Sequence, residues 1–177
     1  MDLHANQDRI RKIKLVIIDI DGVLTDGTIV YGDHGDEIKF FDVQDGFGMV
    51  LLHRAGLKTV IISARKSKIN VRRAKEMRIT KLYQNAFDKL KVFNEVLKKF
   101  KVSAEEVCFI GDDLIDLPIL KRVGFSVAVQ NALPDVKTHV HWVTEKSGGR
   151  GAVRELSDFI LKSQGRWAEV TARYFQV

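Results

Sequence analysis

Short runs of β-branched apolar residues recur along the chain with helical periodicity between them, and this alternation constrains the fold more than any other feature. Lys14–Ile20 (KLVIIDI), Thr59–Ser63 (TVIIS), Val107–Gly111 (VCFIG) and Ser126–Val129 (SVAV) read as buried strands. Asp45–Ala55, Ser67–Met77 and Asp88–Phe100 read as helices. In the last of these, Leu90, Phe93, Val96, Leu97 and Phe100 return at spacings of three and four and form one apolar stripe. Gly56 is placed to end the first helix. Strand and helix alternating in this way predict an α/β, Rossmann-like parallel sheet with helices on both faces. Gly27–Asp42 (GTIVYGDHGDEIKFFD) breaks the alternation and reads as a β-hairpin inserted after the first strand. Gly151–Ser163 reads as a further helix, preceded by the loop 147–151, which its glycines suggest is flexible. For Arg166–Val177 a helix packed on a partner subunit is one expectation.

Composition matters mainly for what it excludes. At 177 residues, with 45% hydrophobic and 29% charged residues, the chain is expected to form a single domain at 1–177, its core at about 14–163 and a tail at 164–177. Cys108 is the sole cysteine, so no internal disulfide forms, and a buried core role is expected for it. The polar start lacks a signal-like apolar stretch, and runs such as Leu15–Ile18 are too short to span a bilayer. A cytoplasmic protein is the expectation.

The net charge of +6 is unevenly spread. Arg54–Lys101 holds 15 Lys and Arg against Glu76, Asp88 and Glu95, a local +12 that leaves −6 elsewhere. Such a segment can bind nucleic-acid phosphates, line solvated helix faces, or draw a small anion toward an acidic cluster. Solvated faces are favoured for most of these residues, and no nucleic-acid partner is expected.

The acids gather where two predicted strands end. The first ends in Asp19-Ile20-Asp21-Gly22-Val23-Leu24-Thr25-Asp26-Gly27, and another in Gly111-Asp112-Asp113-Leu114-Ile115-Asp116. Ligands of an open parallel sheet bind beyond the carboxyl ends of its strands. One Asp after a strand is most often a cap or turn residue. Clustered carboxylates, however, repel one another unless a hard cation or protons compensate, and Mg²⁺ prefers such oxygens.

DxDGxxTD after the first strand, Ser63 after the second, Lys89 opening a helix and GDDxxD near the end, in that order, resemble the haloacid dehalogenase superfamily. DIDGVLTDG, the hairpin, FDVQDGFGM, IGDDLIDLP and SGGRGAVREL are similar to one branch of it, the phosphatases of 3-deoxy-D-manno-octulosonate 8-phosphate. The likeness runs from Lys14 to about Ser163. It implies a capless fold, a homotetramer, Mg²⁺ as cofactor and hydrolysis of a sugar-acid phosphate for lipopolysaccharide synthesis in a Gram-negative bacterium.

The resemblance also implies residue roles. Asp19 would be the nucleophile that becomes an aspartyl-phosphate, and Asp21 the acid that protonates the leaving alkoxide and then the base for water. Asp19, the Asp21 backbone carbonyl and Asp112 would hold the metal, with Asp113 and Asp116 ordering its waters and Lys89. Ser63 and Lys89 would bind the phosphoryl oxygens. Arg65 would pair with the substrate carboxylate, and Arg150 would close over the site from the same or a neighbouring subunit. Thr25 is counted with these substrate-binding residues, although Thr25 and Asp26 also suit a cap that orients the hairpin. The chain departs from the branch at Ala64, where glycine is usual. His139 and His141, two histidines alone, do not make a zinc site. Two other readings stay open: a phosphatase of a nine-carbon sugar acid phosphate, and a non-catalytic binding module that has kept the fold.

Overall fold

The computed structural model describes residues 3–176; Met1, Asp2 and Val177, the extremes of the polar start and of the expected tail, lie outside the described residues. Its elements are α1 (Leu3–Arg11), β1 (Leu15–Ile18), β2 (Val30–Tyr31), β3 (Glu37–Ile38), α2 (Val43–Arg54), β4 (Lys58–Ile62), α3 (Lys68–Glu76) and β5 (Lys81–Tyr83). They continue with α4 (Lys89–Phe100), β6 (Val107–Gly111), α5 (Leu117–Leu120), β7 (Phe125–Ala128), α6 (Pro134–Lys137), β8 (Trp142–Val143), α7 (Ala152–Ser163) and α8 (Trp167–Thr171).

Six strands form one parallel sheet in the order β5-β4-β1-β6-β7-β8. Every residue of β1, β6 and β7 is buried, as strands covered on both faces must be. From β1 the chain steps out to β4 and β5 on one side, then returns to β6, β7 and β8 on the other. The order therefore reverses between β1 and β6, and a crevice opens beyond their carboxyl ends. Helices α1, α2, α7 and α8 pack with one another, and α4 packs with α5. Gly48 permits the close approach of α2 to α7, because a Cβ there would press on Ser157 and on the Arg154 backbone.

Local chemistry accounts for the element ends. Asp42 caps α2 by accepting from the Gln44 amide at 2.6 Å. The helix stops where Gly56 takes φ +81°, with the Gly56 amide donating to His53 O and that of Leu57 to Leu52 O. Asp88 caps α4 through the Lys91 amide at 3.0 Å, which sets Lys89 in the first turn.

The expected hairpin is present, but its strands are only two residues each, pairing Val30 with Ile38 and Tyr31 with Glu37. Five elements were not expected from the sequence: α1, β5, α5, α6 and β8. The segment from Arg166 forms α8 and a tight turn over Ala172–Tyr174. It packs on its own chain: the Tyr174 ring lies edge-on to Phe47 at 5.6 Å, and its hydroxyl accepts from Arg54 at 2.5 Å. Among the described residues, no helix is long and apolar enough to cross a membrane.

Candidate active site

Asp19 follows the last residue of β1, and its amide donates to Ile110 O of the neighbouring β6 at 3.2 Å. The chain then turns back on itself, with the amides of Val23, Leu24 and Thr25 all donating to Ile20 O. Gly22 makes this turn possible in two ways. Its φ is +99°, and a Cβ there would collide with the Asp112 carboxylate. Thr25 is buried and its hydroxyl is engaged within the turn, donating to Ile20 O at 3.4 Å while accepting from the amides of Gly22 and Gly27.

Lys89 enters from the first turn of α4 and lies between two acids, 2.9 Å from Asp19 Oδ1 and 2.6 Å from Asp116 Oδ1. All three side chains are buried, Asp116 completely. Burial disfavours the Lys89 ammonium, but Asp19 and Asp116 more than offset this and hold it charged well above the ordinary lysine range. Asp116 Oδ2 also accepts from the amides of Asp112 at 3.0 Å and Asp113 at 3.4 Å. Its oxygens thus fix both the lysine and the backbone turn after β6. Asp113 is exposed and caps the Leu114 amide at 2.6 Å.

Two carboxylates in this crevice are poorly compensated. Burial pushes the Asp19 carboxyl up to about 7 despite Lys89, and burial with repulsion from Asp19 and Asp116 pushes Asp112 up to about 8. Asp112 Oδ1 is buried with no hydrogen-bond partner. Oxygens of Asp19, Asp112 and Asp116 lie within 4.8 Å of one another, the one such acid, histidine or cysteine cluster among the described residues. Because Asp116 is already committed to Lys89 and two amides, Asp19 and Asp112 are the carboxylates free to ligate. An all-oxygen set containing an orphaned carboxylate fits a hard divalent cation such as Mg²⁺.

Ser63 lies just beyond β4, buried, its hydroxyl donating to Arg65 O at 3.2 Å and accepting from the Arg65 amide at 3.3 Å. A cavity of about 130 Å³ is lined by Asp19, Asp21, Ser63, Arg65, Lys89 and Asp112, with Asp113 at its rim. A larger groove, about 740 Å³, lies at the opposite, amino-terminal ends of the strands among Arg11, Lys12, Lys14 and Glu105. It has no comparable acid cluster and sits away from the crevice where parallel sheets bind ligands.

Arg65 is not free. It donates to the Tyr31 hydroxyl at 3.1 Å and to Glu37 Oε1 at 3.2 Å, both on the hairpin. Thr25 and Arg150 do not reach the cavity; the Arg150 side chain is 70% exposed, 3.8 Å from Asp26. The loop 147–151 is held rather than flexible. Gly148 donates to Asn131 Oδ1 at 2.8 Å, Gly149 to Val23 O at 2.9 Å and Gly151 to Asp45 Oδ2 at 3.2 Å. Its glycines serve packing, since a Cβ on Gly148 would overlap Gly22 O. His141 Nδ1 is 2.7 Å from Ser126 Oγ and outside the acid cluster.

Two residues were missed from sequence. Asp45, buried in α2, accepts the Gly151 and Arg154 amides and so clamps the start of α7. Lys39, just after β3, is wholly buried at its side chain and reaches Asp21 Oδ1 at 2.5 Å.

A model of the haloacid dehalogenase-like hydrolases matches residues 51–156. A 3-deoxy-D-manno-octulosonate 8-phosphate phosphatase of Escherichia coli strain K12 is 43% identical over 157 residues, covering 89% of this chain and 84% of its own. A solved structure of a probable YrbI family phosphatase from Pseudomonas syringae superposes with a TM-score of 0.95 at 42% identity, covering 98% of both chains. A Moraxella catarrhalis 3-deoxy-D-manno-octulosonate 8-phosphate phosphatase, solved with magnesium, phosphate and the sugar acid, gives 0.95 at 37% identity, covering 97% of this chain and 99% of that one.

Proposed function

The chain belongs to the haloacid dehalogenase-like hydrolases and is a phosphatase of phosphoric monoesters, and we propose that it hydrolyses 3-deoxy-D-manno-octulosonate 8-phosphate through an aspartyl-phosphate on Asp19. The observation that carries the mechanism is the buried Asp19–Lys89–Asp116 chain beside the orphaned Asp112 carboxylate. It sets a nucleophile, a cation and a vacant ligand oxygen at one crevice. The substrate comes from likeness to the named phosphatases at 42–43% identity.

Asp19, the Asp21 backbone carbonyl and Asp112 would hold Mg²⁺, which when bound supplies charge neutralisation between the phosphate and the attacking carboxylate. Lys89 keeps Asp19 oriented through its 2.9 Å contact and offers a donor to the phosphoryl oxygens, and the Ser63 hydroxyl would offer another by turning from Arg65 O. An Asp19 carboxylate oxygen forms the new bond to phosphorus while the bond to the sugar oxygen breaks. Asp21 gives that oxygen a proton. A water then loses a proton to Asp21 and attacks phosphorus, releasing phosphate and restoring Asp19.

At about 130 Å³ the cavity falls short of the roughly 300–1,000 Å³ of ordinary ligand sites, so it suits the phosphoryl group and leaves the sugar outside it. The hairpin beside it exposes Ile29, Tyr31, Ile38 and Phe40. A second copy of the chain covering this face, within a homotetramer, would both bury these side chains and wall the sugar site.

The test is phosphate release with Mg²⁺ from eight- and nine-carbon sugar acid phosphates, with Asp19→Asn as control. We expect the eight-carbon ester to be preferred and the variant to lose at least about 10³-fold in kcat. Faster turnover of the nine-carbon ester would move the substrate, and an active Asp19→Asn would remove the mechanism.

A further inference from the structure

The Lys39 side chain is fully withdrawn from solvent although it stems from a hairpin of two-residue strands. An ammonium so buried must be paired. Its partners are Asp21 Oδ1 at 2.5 Å and Glu37 Oε1 at 3.8 Å. Arg65 completes a ring of alternating charge: its Nε lies 4.0 Å from Asp21 Oδ2, and one of its terminal nitrogens lies 3.2 Å from Glu37 Oε1. The hairpin is therefore fastened to the β1 turn through one oxygen of the Asp21 carboxyl. Among the described residues, Oδ2 makes no hydrogen bond.

Anchoring the hairpin would need only some acid on the core. That the acid is Asp21, two residues after the nucleophile and on the cavity wall, gives the contact a second consequence. A free Asp carboxyl turns broadly about its last torsion. Proton delivery needs one oxygen held within hydrogen-bond reach of the leaving atom. We infer that Lys39 is a positioning residue for Asp21: it ties Oδ1 and thereby presents Oδ2 to the leaving oxygen of the ester. The inference rests on the proposed acid–base role of Asp21.

As the phosphorus–oxygen bond breaks, its electron pair stays on the sugar oxygen and the Oδ2 proton moves to that atom. Asp21 is left as a carboxylate whose other oxygen already faces the Lys39 ammonium. The charge created in the step thus appears beside a fixed cation, which Glu37, 3.8 Å away, also helps to balance.

A positioning role differs from a merely structural one in its dependence on the leaving group. A sugar alkoxide needs the proton; p-nitrophenolate does not. The experiment measures kcat/KM with Mg²⁺ on 3-deoxy-D-manno-octulosonate 8-phosphate and on p-nitrophenyl phosphate, for the wild type, Lys39→Met, Lys39→Arg and Asp21→Asn. Lys39→Met is expected to lose about 10²-fold on the sugar ester, the scale of a misplaced acid. On the aryl ester it should lose less than about threefold. Lys39→Arg should recover most of the sugar-ester rate, and Asp21→Asn should show the same skew more strongly. Should Lys39→Met fail to fold, Lys39→Gln gives the same ratio of esters.

Equal losses on both esters, or none, would overturn the role of Lys39. An Asp21→Asn variant without the skew would overturn the acid assignment beneath it. A wild type inactive on every ester would remove the proposed function itself, so the failures are separable.

Discussion

Two charge clusters meet at this crevice, and they are built differently. At the ends of β1 and β6, Asp19, Lys89 and Asp116 are almost wholly buried and are fixed by strands whose every residue is in the core. At the hairpin, Glu37 and Lys39 meet Arg65, which comes from the loop after β4, around Asp21, yet the Arg65 side chain is 38% exposed and Tyr31 beside it is 67% exposed. The first cluster is held by the fold. The second does part of the holding, since a two-stranded hairpin alone is marginal and these contacts fasten it. The contrast suggests a division of labour in which the sheet fixes the phosphoryl chemistry and the hairpin adapts the site to the rest of the substrate.

The largest loss is expected from Asp116→Ala. It strands the Lys89 ammonium beside a single remaining acid and removes the acceptor of two backbone amides. Loss of one partner from a buried pair costs about 3–5 kcal/mol. Chemical denaturation should read that loss, together with a collapse of phosphatase activity. A variant as stable and active as the wild type would mean that the buried cluster is not what holds the site.

A second test sharpens the electrostatic difference. Burial pushes the Asp19 and Asp112 carboxyls up from the ordinary 3.8, to about 7 and about 8. Across that window the metal-free folded state binds more protons than the unfolded state, so its stability falls as pH rises from about 4 to about 8. The melting temperature in a chelator should therefore drop between pH 5 and pH 8. Mg²⁺, by pairing with the ionised carboxylates, should remove the drop, with a stabilisation of about 2.7 kcal/mol at a hundredfold excess over Kd. Asp112→Asn should weaken both effects. A metal-free melting temperature that climbs over this range would contradict the buried-acid account.

The smallest effect is expected on the hairpin. Tyr31→Phe removes one exposed hydrogen bond to Arg65. Stability should change by no more than about 0.5 kcal/mol and kcat/KM by less than about threefold. A larger loss would show that the hairpin is as tightly specified as the strand ends.

Legibility in the sequence follows the same division. The runs KLVII, TVII, VCFIG and SVA declare themselves because strands buried on both faces must be uniformly apolar. β5 and β8 do not, because three and two residues at the sheet edges owe their strand character to the neighbour they pair with. Helix α1 hid behind its charge, since LHANQDRIR reads as a polar start although Ile10 is fully buried. At the site, the Asp motifs were visible, while Lys39 looked like any solvated lysine. The available signal was its spacing of two from Glu37, which places both on one face of a strand. Loop 147–151 misled for the opposite reason. Glycines that read as freedom are there because Gly148 packs against Gly22 O with no space for a side chain.

That last contact has a bearing on biosynthesis. The turn carrying Asp19 is made before its backstop: the hydrogen bond from Gly149 to Val23 O comes from a segment made more than a hundred residues later. At roughly 5–20 residues per second, the nascent turn waits about 6–25 s for the piece that seats it. A ribosome-bound chain stopped short of Gly149 would carry every acid of the crevice and still lack the wall behind them.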